Sequence, residues 1–336
     1  MARLLLMIAC VLLALGSQAQ GQHYAGKQIR FIVGGDAGGG YDLLARVVAP
    51  HLGRHVSGNP AVIVQNMPEA GSLTAANYLA SSAPKDGTVF ALLQRGMLLA
   101  WMTNPSGARF DLQTLSWIAN LNHETSLVVA WHTAQPRTAE DLFQKTLVVG
   151  GTVGVDPEIT PKMYNGLIGT KFKIVNGYKG TNDIARAMEN GEVEGIGDWS
   201  WSTFKVQKAA WLKDGKVRVL MQGAQKRDPE LSDIPNALEF AKDDVTRQAM
   251  ELYLSQKTVA RPIAAPPGVP AEQVTILHEA FLSLAKDPVF LEAVQKVGSE
   301  INVLSGEAVT EVIRTIGAAP QEVVQRLKGA IGGAPN

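Results

Sequence analysis

Along the chain, short apolar runs rich in β-branched residues alternate with segments whose apolar positions recur every third or fourth residue. Ile29-Arg30-Phe31-Ile32-Val33 reads as a strand closed by glycines, and Tyr41 to Leu52 as a helix, with Leu43, Leu44, Val47, Val48 and Leu52 near a 3.6 period. Ala61-Val62-Ile63-Val64 predicts a second strand, followed by a loop and a helix from about Ser72 to Leu79; Val89-Phe90-Ala91-Leu92-Leu93 predicts a third strand. Further strands are predicted at 117–121, 127–131, 147–149, 172–175, 193–196 and 217–221, with helical segments such as 181–189 between several of them. Such alternation implies parallel sheets with helices on both faces. Beyond Pro262 the pattern changes. Pro266-Pro267-Gly268-Val269-Pro270 is turn-rich, and Pro270 stands just ahead of a helix from Ala271 to Lys286 whose Val274, Leu277, Phe281 and Leu284 share one face. Two more helices begin near Pro288 and Gly306, and no internal repeat is present.

A length of 336 residues suggests two domains, at roughly 100–200 residues each. Lys and Arg total 31 and Asp and Glu total 31, so the basic surplus of a nucleic-acid binder is missing. The N-terminus shows where the chain goes. Arg3 precedes an uninterrupted apolar run from Leu4 to Leu15, and the small residues Ser17 and Ala19 follow. These are the parts of a secretory signal peptide, placed at residues 1–19. An uncleaved anchor is the competing reading, but the run is shorter than the roughly 20 apolar residues that a membrane span needs. Cys10, the only cysteine, falls in this leader, so the mature chain has no disulfide and no thiol nucleophile.

The most informative local feature is Gly34-Gly35-Asp36-Ala37-Gly38-Gly39-Gly40-Tyr41-Asp42, which joins the first strand to the first helix. In an open α/β sheet, ligands bind at the carboxyl ends of strands, where helix N-termini present free N–H groups. Glycines let that backbone approach an anion closely, whether phosphate or carboxylate. The dinucleotide spacing G-x-G-x-x-G does not occur within residues 34–40. Gly34 and Gly39 are spaced as in a P-loop, but Gly40-Tyr41 replaces the Lys and Ser/Thr that loop requires. A tight turn with Asp42 in the first turn of the helix is the competing reading. A second small-residue loop, Asn66-Met67-Pro68-Glu69-Ala70-Gly71-Ser72, follows the second strand.

Catalytic patterns fail the same inspection. Gly197-Asp198-Trp199-Ser200-Trp201 comes nearest to a nucleophile elbow and has the wrong spacing. His51 and His55 have a helical metal-ligand spacing, but Gly53 lies between them and there is no H-E-x-x-H. His123-Glu124 and His132 flank a strand and are candidate acid/base partners, but with no nucleophile or metal nearby the histidines read as solvated loop groups, and His278 as a core histidine on the apolar stripe of its helix.

Further motifs are Pro84-Lys85-Asp86-Gly87-Thr88, Gly177-Tyr178-Lys179-Gly180, the run Lys226 to Pro235 and the run Ala264 to Glu272. Together with Ile29–Asp42 and Asn66–Ser72, and in this order, they resemble the substrate-binding proteins of tripartite tricarboxylate transporters, the Bug family. The resemblance covers nearly all of the mature chain. It implies an α/β, two-lobe periplasmic binding protein-like fold of type II with the ligand cleft between the lobes. One lobe would be discontinuous, 20–120 plus 225–336, and the other would be 121–224. The implied role is periplasmic capture of a small organic acid for integral-membrane transporter subunits, by a monomer without a cofactor, a metal, nucleic-acid binding or enzymatic activity. A periplasmic sensor reporting the bound solute to a signalling receptor is the alternative.

The resemblance also places the ligand site. From the first lobe it implies Asp36, Ala37, Gly38, Gly39, Gly40, Tyr41 and Asp42, then Ala70, Gly71 and Ser72, then Gln94 and Arg95. From the second it implies Gly151, Thr152, Tyr178, Asp198, Trp199 and Ser200. Three departures from the family pattern stand out. Gly34-Gly35-Asp36-Ala37 replaces a Pro-Phe-Ala-Pro type of turn, Glu69 replaces a glycine, and Arg95 stands where small residues are common. Arg95 is open to two roles, pairing with Asp36 or Glu69 or clamping a ligand carboxylate through both arms of its guanidinium. Trp199 and Trp201 are likewise open to stacking on a flat ligand or to plain packing.

Overall fold

The structure, a computed structural model, describes residues 23–103 and 107–332. The segment read as a signal peptide, residues 1–19, lies outside them. The chain begins with β1 (Gln28–Val33), α1 (Gly40–Leu52), β2 (Ala61–Asn66), α2 (Leu73–Ser81), β3 (Val89–Leu92), α3 (Gly96–Thr103) and β4 (Ser116–Asn120). It continues through β5 (Ser126–Trp131), β6 (Leu147–Gly151), α4 (Asp156–Ile168), β7 (Phe172–Asn176), α5 (Thr181–Glu189), β8 (Gly195–Ser200), α6 (Trp201–Gln207), α7 (Ala209–Lys213) and β9 (Val217–Gly223). It closes with α8 (Asp244–Thr258), β10 (Pro262–Ala265), α9 (Ala271–Leu284), α10 (Pro288–Lys296), β11 (Leu304–Ser305), α11 (Gly306–Gly317) and α12 (Gln321–Gly332).

These elements build two lobes around two sheets, ordered β11-β4-β10-β3-β1-β2 and β7-β6-β8-β5-β9. Period-two alternation decides which face each strand buries. Ile29, Phe31 and Val33 of β1 point into a cluster with α1 and α9, while Ile32 points into a cluster on the other face. In β5, Leu127 and Val129 pack on one side with Ile184 and Trp199, and Val128 and Ala130 on the other. The registers matter for function. Val33 lies opposite Asn66 where β1 meets β2, and Gly151 lies opposite Asn176 where β6 meets β7. In each lobe, two neighbouring strands therefore end level and their loops emerge side by side.

The expectation of parallel sheets is corrected: both sheets are mixed. β10 runs antiparallel to β3 and β4, and β5 runs antiparallel to β8 and β9. The expected strand at 193–196 is also displaced, to Gly195–Ser200. A side chain at Gly195 would collide with the Val129 carbonyl, and one at Gly197 with the Pro161 ring. These glycines are strand residues because neighbours approach closely, not because the chain turns there.

The antiparallel strands follow from the way the chain changes lobes. It leaves the first sheet after Asn120 and re-enters it at Pro262, and the two crossing segments lie side by side. Leu121 N–H donates to the Arg261 carbonyl (3.0 Å), Ala260 N–H to the Asn122 carbonyl (3.2 Å) and Glu124 N–H to the Lys257 carbonyl (2.8 Å). Asn120, fully buried, ties the pair together. Its amide donates to the carbonyls of Asn122 (2.8 Å) and Thr258 (3.2 Å), and its oxygen accepts from Arg261 N–H (2.8 Å).

We place the return crossing here rather than near residue 225. Leu231 and Ile234 pack into the second lobe's cluster, and Asn236 bridges to Gln222 of β9. The C-terminal helix α12 also leaves the first lobe, lying so close on α4 that a Cβ at Gly166 would come within 2.7 Å of Ala330.

Replacing Asn120 by alanine should strand three hydrogen-bonding groups of the hinge. At roughly 1 kcal/mol for each bond lost, and more where the partner stays buried, we expect a loss of about 3 kcal/mol in urea denaturation. A loss below about 1 kcal/mol would show that the hinge does not depend on this side chain.

Candidate functional site

The two lobes face each other through loops at the carboxyl ends of their strands. In the first lobe, Gly34 is the point where three loops meet. Ser72 Oγ donates to its carbonyl (2.6 Å), Gln94 Nε2 donates to the same oxygen (2.8 Å), and Ser72 Oγ accepts from Gln94 N–H (2.9 Å). A Cβ at Gly34 would overlap the Ser72 hydroxyl, so this knot requires glycine. Beyond it Gly38 turns back with φ +78°, a conformation that costs glycine little, and its N–H donates to Asp42 Oδ2 (2.7 Å). Arg46 Nε donates to the same oxygen (2.9 Å), and Asn66 Nδ2 donates to Oδ1 (2.9 Å). Burial pushes the Asp42 carboxyl up, but Arg46, the Gly38 N–H and Asn66 outweigh it and hold it below its ordinary value.

The second lobe repeats this arrangement with different residues. Gly154, at φ +76°, donates its N–H to Glu158 Oε2 (2.7 Å); Asn176 Nδ2 (2.8 Å) and Lys162 Nζ (2.7 Å) donate to Oε1. In both lobes a glycine N–H reaches a carboxylate four residues on. An asparagine at the end of the neighbouring strand reaches that carboxylate as well, and a basic residue one turn later neutralises it.

The residues expected to touch ligand therefore divide. Gly40, Tyr41, Gly71, Gln94, Arg95 and Ser200 line a cleft of about 530 Å³ between the lobes. Asp42 and Ser72 are buried and organise the loops behind it. Asp36, Ala37 and Gly38 form the exposed tip of their loop, with Gly39 next in the chain, and none of these four is among the lining residues. Ala70 belongs to the short 3-10 turn Glu69–Ser72, which also holds Gly71. Gly151 ends β6 and Thr152 follows it, and both lie outside the lining; a side chain on Gly151 would collide with the Asn176 amide.

Tyr178 is half-buried against the aromatic cluster of the second lobe. Burial, then the nearby Glu192, raises its phenol pKa. Trp199 is 1% exposed, edge-on to Phe204 (5.1 Å) and Trp211 (6.0 Å), so packing rather than stacking on a ligand describes it. Trp201 lines a different cavity, where its Nε1 donates to Glu230 (2.6 Å).

Arg95 takes neither of its expected partners. It reaches across the cleft to Asp156 at the start of α4, donating from Nε (2.8 Å) and Nη2 to the same oxygen. Lys257 Nζ, at the end of α8, bonds Asp156 (3.3 Å) and Asp198 (2.7 Å). Thr160 Oγ1 donates to Asp198 (2.6 Å) and lies 2.7 Å from the Tyr253 hydroxyl, which reaches Asp156 (3.3 Å). Burial pushes Asp156 up, yet Arg95 and then Lys257 outweigh it and hold the carboxyl well below its ordinary range. For Asp198 burial wins: its pKa is raised although Lys257 pulls it down.

Sequence reading missed Asp156, Lys257, Gln256 and Arg261, all of which line the cleft or back it. The Pro at 157 and the acidic start of the helix at Asp156 were the available signal for one of them.

Other cavities lie elsewhere. One of about 440 Å³ sits behind the hinge around His123, Trp201 and Glu300, and an apolar one of about 750 Å³ lies among α8, α11 and α12. His51 bonds Arg54 (2.8 Å), His55 lies between Ser283 (2.9 Å) and Asp287 (3.2 Å), and His278 Nδ1 lies 2.9 Å from the Ile118 carbonyl. Among the described residues, no group of three or more His, Cys, Asp or Glu side chains is placed to hold a metal ion.

Residues 44–328 match the model of a family described as the tripartite tricarboxylate transporter family receptor. A UPF0065 protein encoded in the gbd 5' region of Cupriavidus necator is 26% identical over 298 residues, covering 86% of this chain and 84% of that one. Among solved structures, a TctC solute binding protein from Polaromonas is 22% identical, with a TM-score of 0.68, over 92% of this chain and 99% of that one. An R. palustris protein with adipate is 20% identical, with a TM-score of 0.63, over 93% and 99%. At these identities the solved structures show a shared two-lobe fold.

The Arg95–Asp156 pair yields a pH prediction. A carboxyl whose folded pKa is depressed contributes stability above its unfolded value, near 3.8, and loses it as pH falls through the folded value. Asp156→Asn should therefore cost about 3 kcal/mol at pH 7, in the range seen when one partner of a buried pair is removed. The gap to wild type should shrink as urea titrations move below pH 3.8. A gap that stays constant down to pH 2.5, roughly a unit below the ordinary carboxylate range, would remove the charge from the explanation.

Proposed function

This chain belongs to the tripartite tricarboxylate transporter receptor family, and from that premise we propose that it captures a small carboxylate-containing solute between its lobes for the membrane subunits of a tripartite tricarboxylate-type transporter. Members of this family are solute-binding proteins rather than enzymes, and they work in the periplasm. The Leu4–Leu15 run supports export, and among the described residues no helix is long and apolar enough to cross a membrane.

The observation that carries the reading is the matched pair of loops. Each lobe fixes a glycine turn by a buried carboxylate and presents a helix N-terminus to the cleft, Gly40-Tyr41 of α1 on one side and Val155-Asp156 of α4 on the other. Free N–H groups and the partial positive charge of a helix start suit an anionic ligand group. The hinge of paired segments, 120–124 beside 257–261, allows the two platforms to approach. A ligand that touches both lobes binds the closed state better than the open one, and that difference drives closure. Membrane subunits would then read the closed form, delivered by a monomer.

A thermal-shift panel of organic acids on the mature protein tests this. A carboxylate present at 100-fold its Kd should add roughly 2.7 kcal/mol, raising Tm by several degrees. Failure of every carboxylate to shift Tm would overturn the reading. The loop device has its own test. Asp42→Ala and Glu158→Ala should each weaken binding of a stabilising carboxylate about tenfold, the equivalent of one lost hydrogen bond in each platform. Lys179→Ala, on an exposed loop, should leave affinity unchanged, and equal effects of all three would detach the buried carboxylates from binding.

A further inference from the structure

The charges around the cleft already balance. Arg95, Arg261 and Asp156 line it, and Lys257, Asp198 and Glu124 stand behind. Three are positive and three negative. Arg95 and Lys257 are committed to Asp156 and Asp198, and Glu124 accepts from the Ser202 hydroxyl (2.8 and 2.9 Å). Arg261 differs: among the described residues no carboxylate oxygen lies within the 4.0 Å of an ion pair. Its guanidinium rests 4.2 Å from the centroid of the Tyr41 ring, and Nη1 donates to the Ala260 carbonyl (3.0 Å). The exposed Asp36 and Glu69, on the two first-lobe loops, add only negative charge.

Gln256 supplies an independent observation. Its side chain is 2% exposed at the cleft wall, and neither Nε2 nor Oε1 has a hydrogen-bond partner among the described residues. A buried amide left this way lacks a partner that both donates and accepts.

We infer that the cleft selects a monocarboxylate that also carries a neutral group able to donate and accept hydrogen bonds, such as a carboxamide, over the corresponding dicarboxylate. Arg261 takes the single negative charge, and Gln256 pairs with the neutral group. A second carboxylate would find no free cation, since Arg95 and Lys257 already hold carboxylates and the remaining helix start offers only N–H groups and a partial charge, and a buried charge without a full counter-charge is disfavoured. The inference rests on the carboxylate-capture reading and names the substrate class of that same site.

Calorimetry on the wild-type mature chain compares acids on one carbon skeleton: succinate with succinamate, and adipate with adipamate, beside butyrate and hexanoate. We expect the half-amide to bind at least about tenfold more tightly than its diacid, a difference of 1.4 kcal/mol. Arg261→Gln should cost the half-amide about tenfold, and Gln256→Leu should erase its advantage over the plain monocarboxylate. Asp156→Asn, which removes one negative charge and leaves Arg95 without its carboxylate, should narrow the preference over the diacid. A wild-type protein that binds a diacid as tightly as its half-amide overturns this inference and leaves carboxylate capture standing. If none of these acids nor any other carboxylate binds, both fall. The wild-type comparison requires no variant to fold.

Discussion

The structure depends on one repeated constraint, a buried carboxylate that receives a glycine N–H from the loop before its own helix. Asp42 and Glu158 each sit in the first turns of a helix, where the N-terminal dipole already favours negative charge. Each also binds an asparagine from the end of the next strand, Asn66 or Asn176. That second bond ties the loop of one strand to the end of its neighbour, so the position of one platform is not independent of the next. The level strand ends seen in the registers, Val33 with Asn66 and Gly151 with Asn176, make the bond geometrically available. The cleft backbone is thus organised before a ligand arrives, which spares binding the ordering of those loops.

Across the cleft the logic is different. The Arg95–Asp156 pair joins side chains from separate lobes, with exposures of only 14% and 16%. A buried ion pair is weak evidence for stability, since desolvation offsets much of the attraction. Its geometric content is stronger. Arg95 follows β3 and Asp156 opens α4, so the two meet only when the lobes are together. Lys257, near the return crossing, touches Asp156 and Asp198 at once and links this contact to the hinge. Closure and the charge state of the cleft are therefore one problem, because the residues that would greet an anion also hold the lobes in place.

Much of the fold was legible in the chain. Strong β-branched runs such as Ile29–Val33 and the apolar period of Tyr41–Leu52 mark elements whose local preference and tertiary role agree. What sequence reading could not reach was set by distant partners. Pro262–Ala265 is not among the expected strands, and becomes a central one because the returning chain has an open place between β3 and β4. The loops of the site were legible from their glycines, but the direction of their side chains was not. Asp42 looks like a ligand contact in sequence and is a strut. Arg95 shows no sign in sequence of a partner 61 residues away in the other lobe. Gln256 and Arg261 carry no motif at all; they matter because the hinge happens to run along the cleft floor.

The apolar interior limits how the lobes can move. One cluster joins Ile32 and Ala91 of the first sheet to Val128 and Val149 of the second, by way of Met250, Tyr253 and Leu254 on α8 and Val323 and Leu327 on α12. Two bodies sharing a packed core do not swing freely, since close-packed interiors shift between discrete arrangements rather than deform continuously. The α12 helix lies on both α4 and α8, and the contact at Gly166 leaves no room for slack on that side. Opening must then be least along α8, against which α3 and its Leu99 also pack. Arg261 and Gln256 sit at the stationary end. A ligand would be recognised first at that fixed wall and enclosed afterwards by the platforms of Asp42 and Glu158.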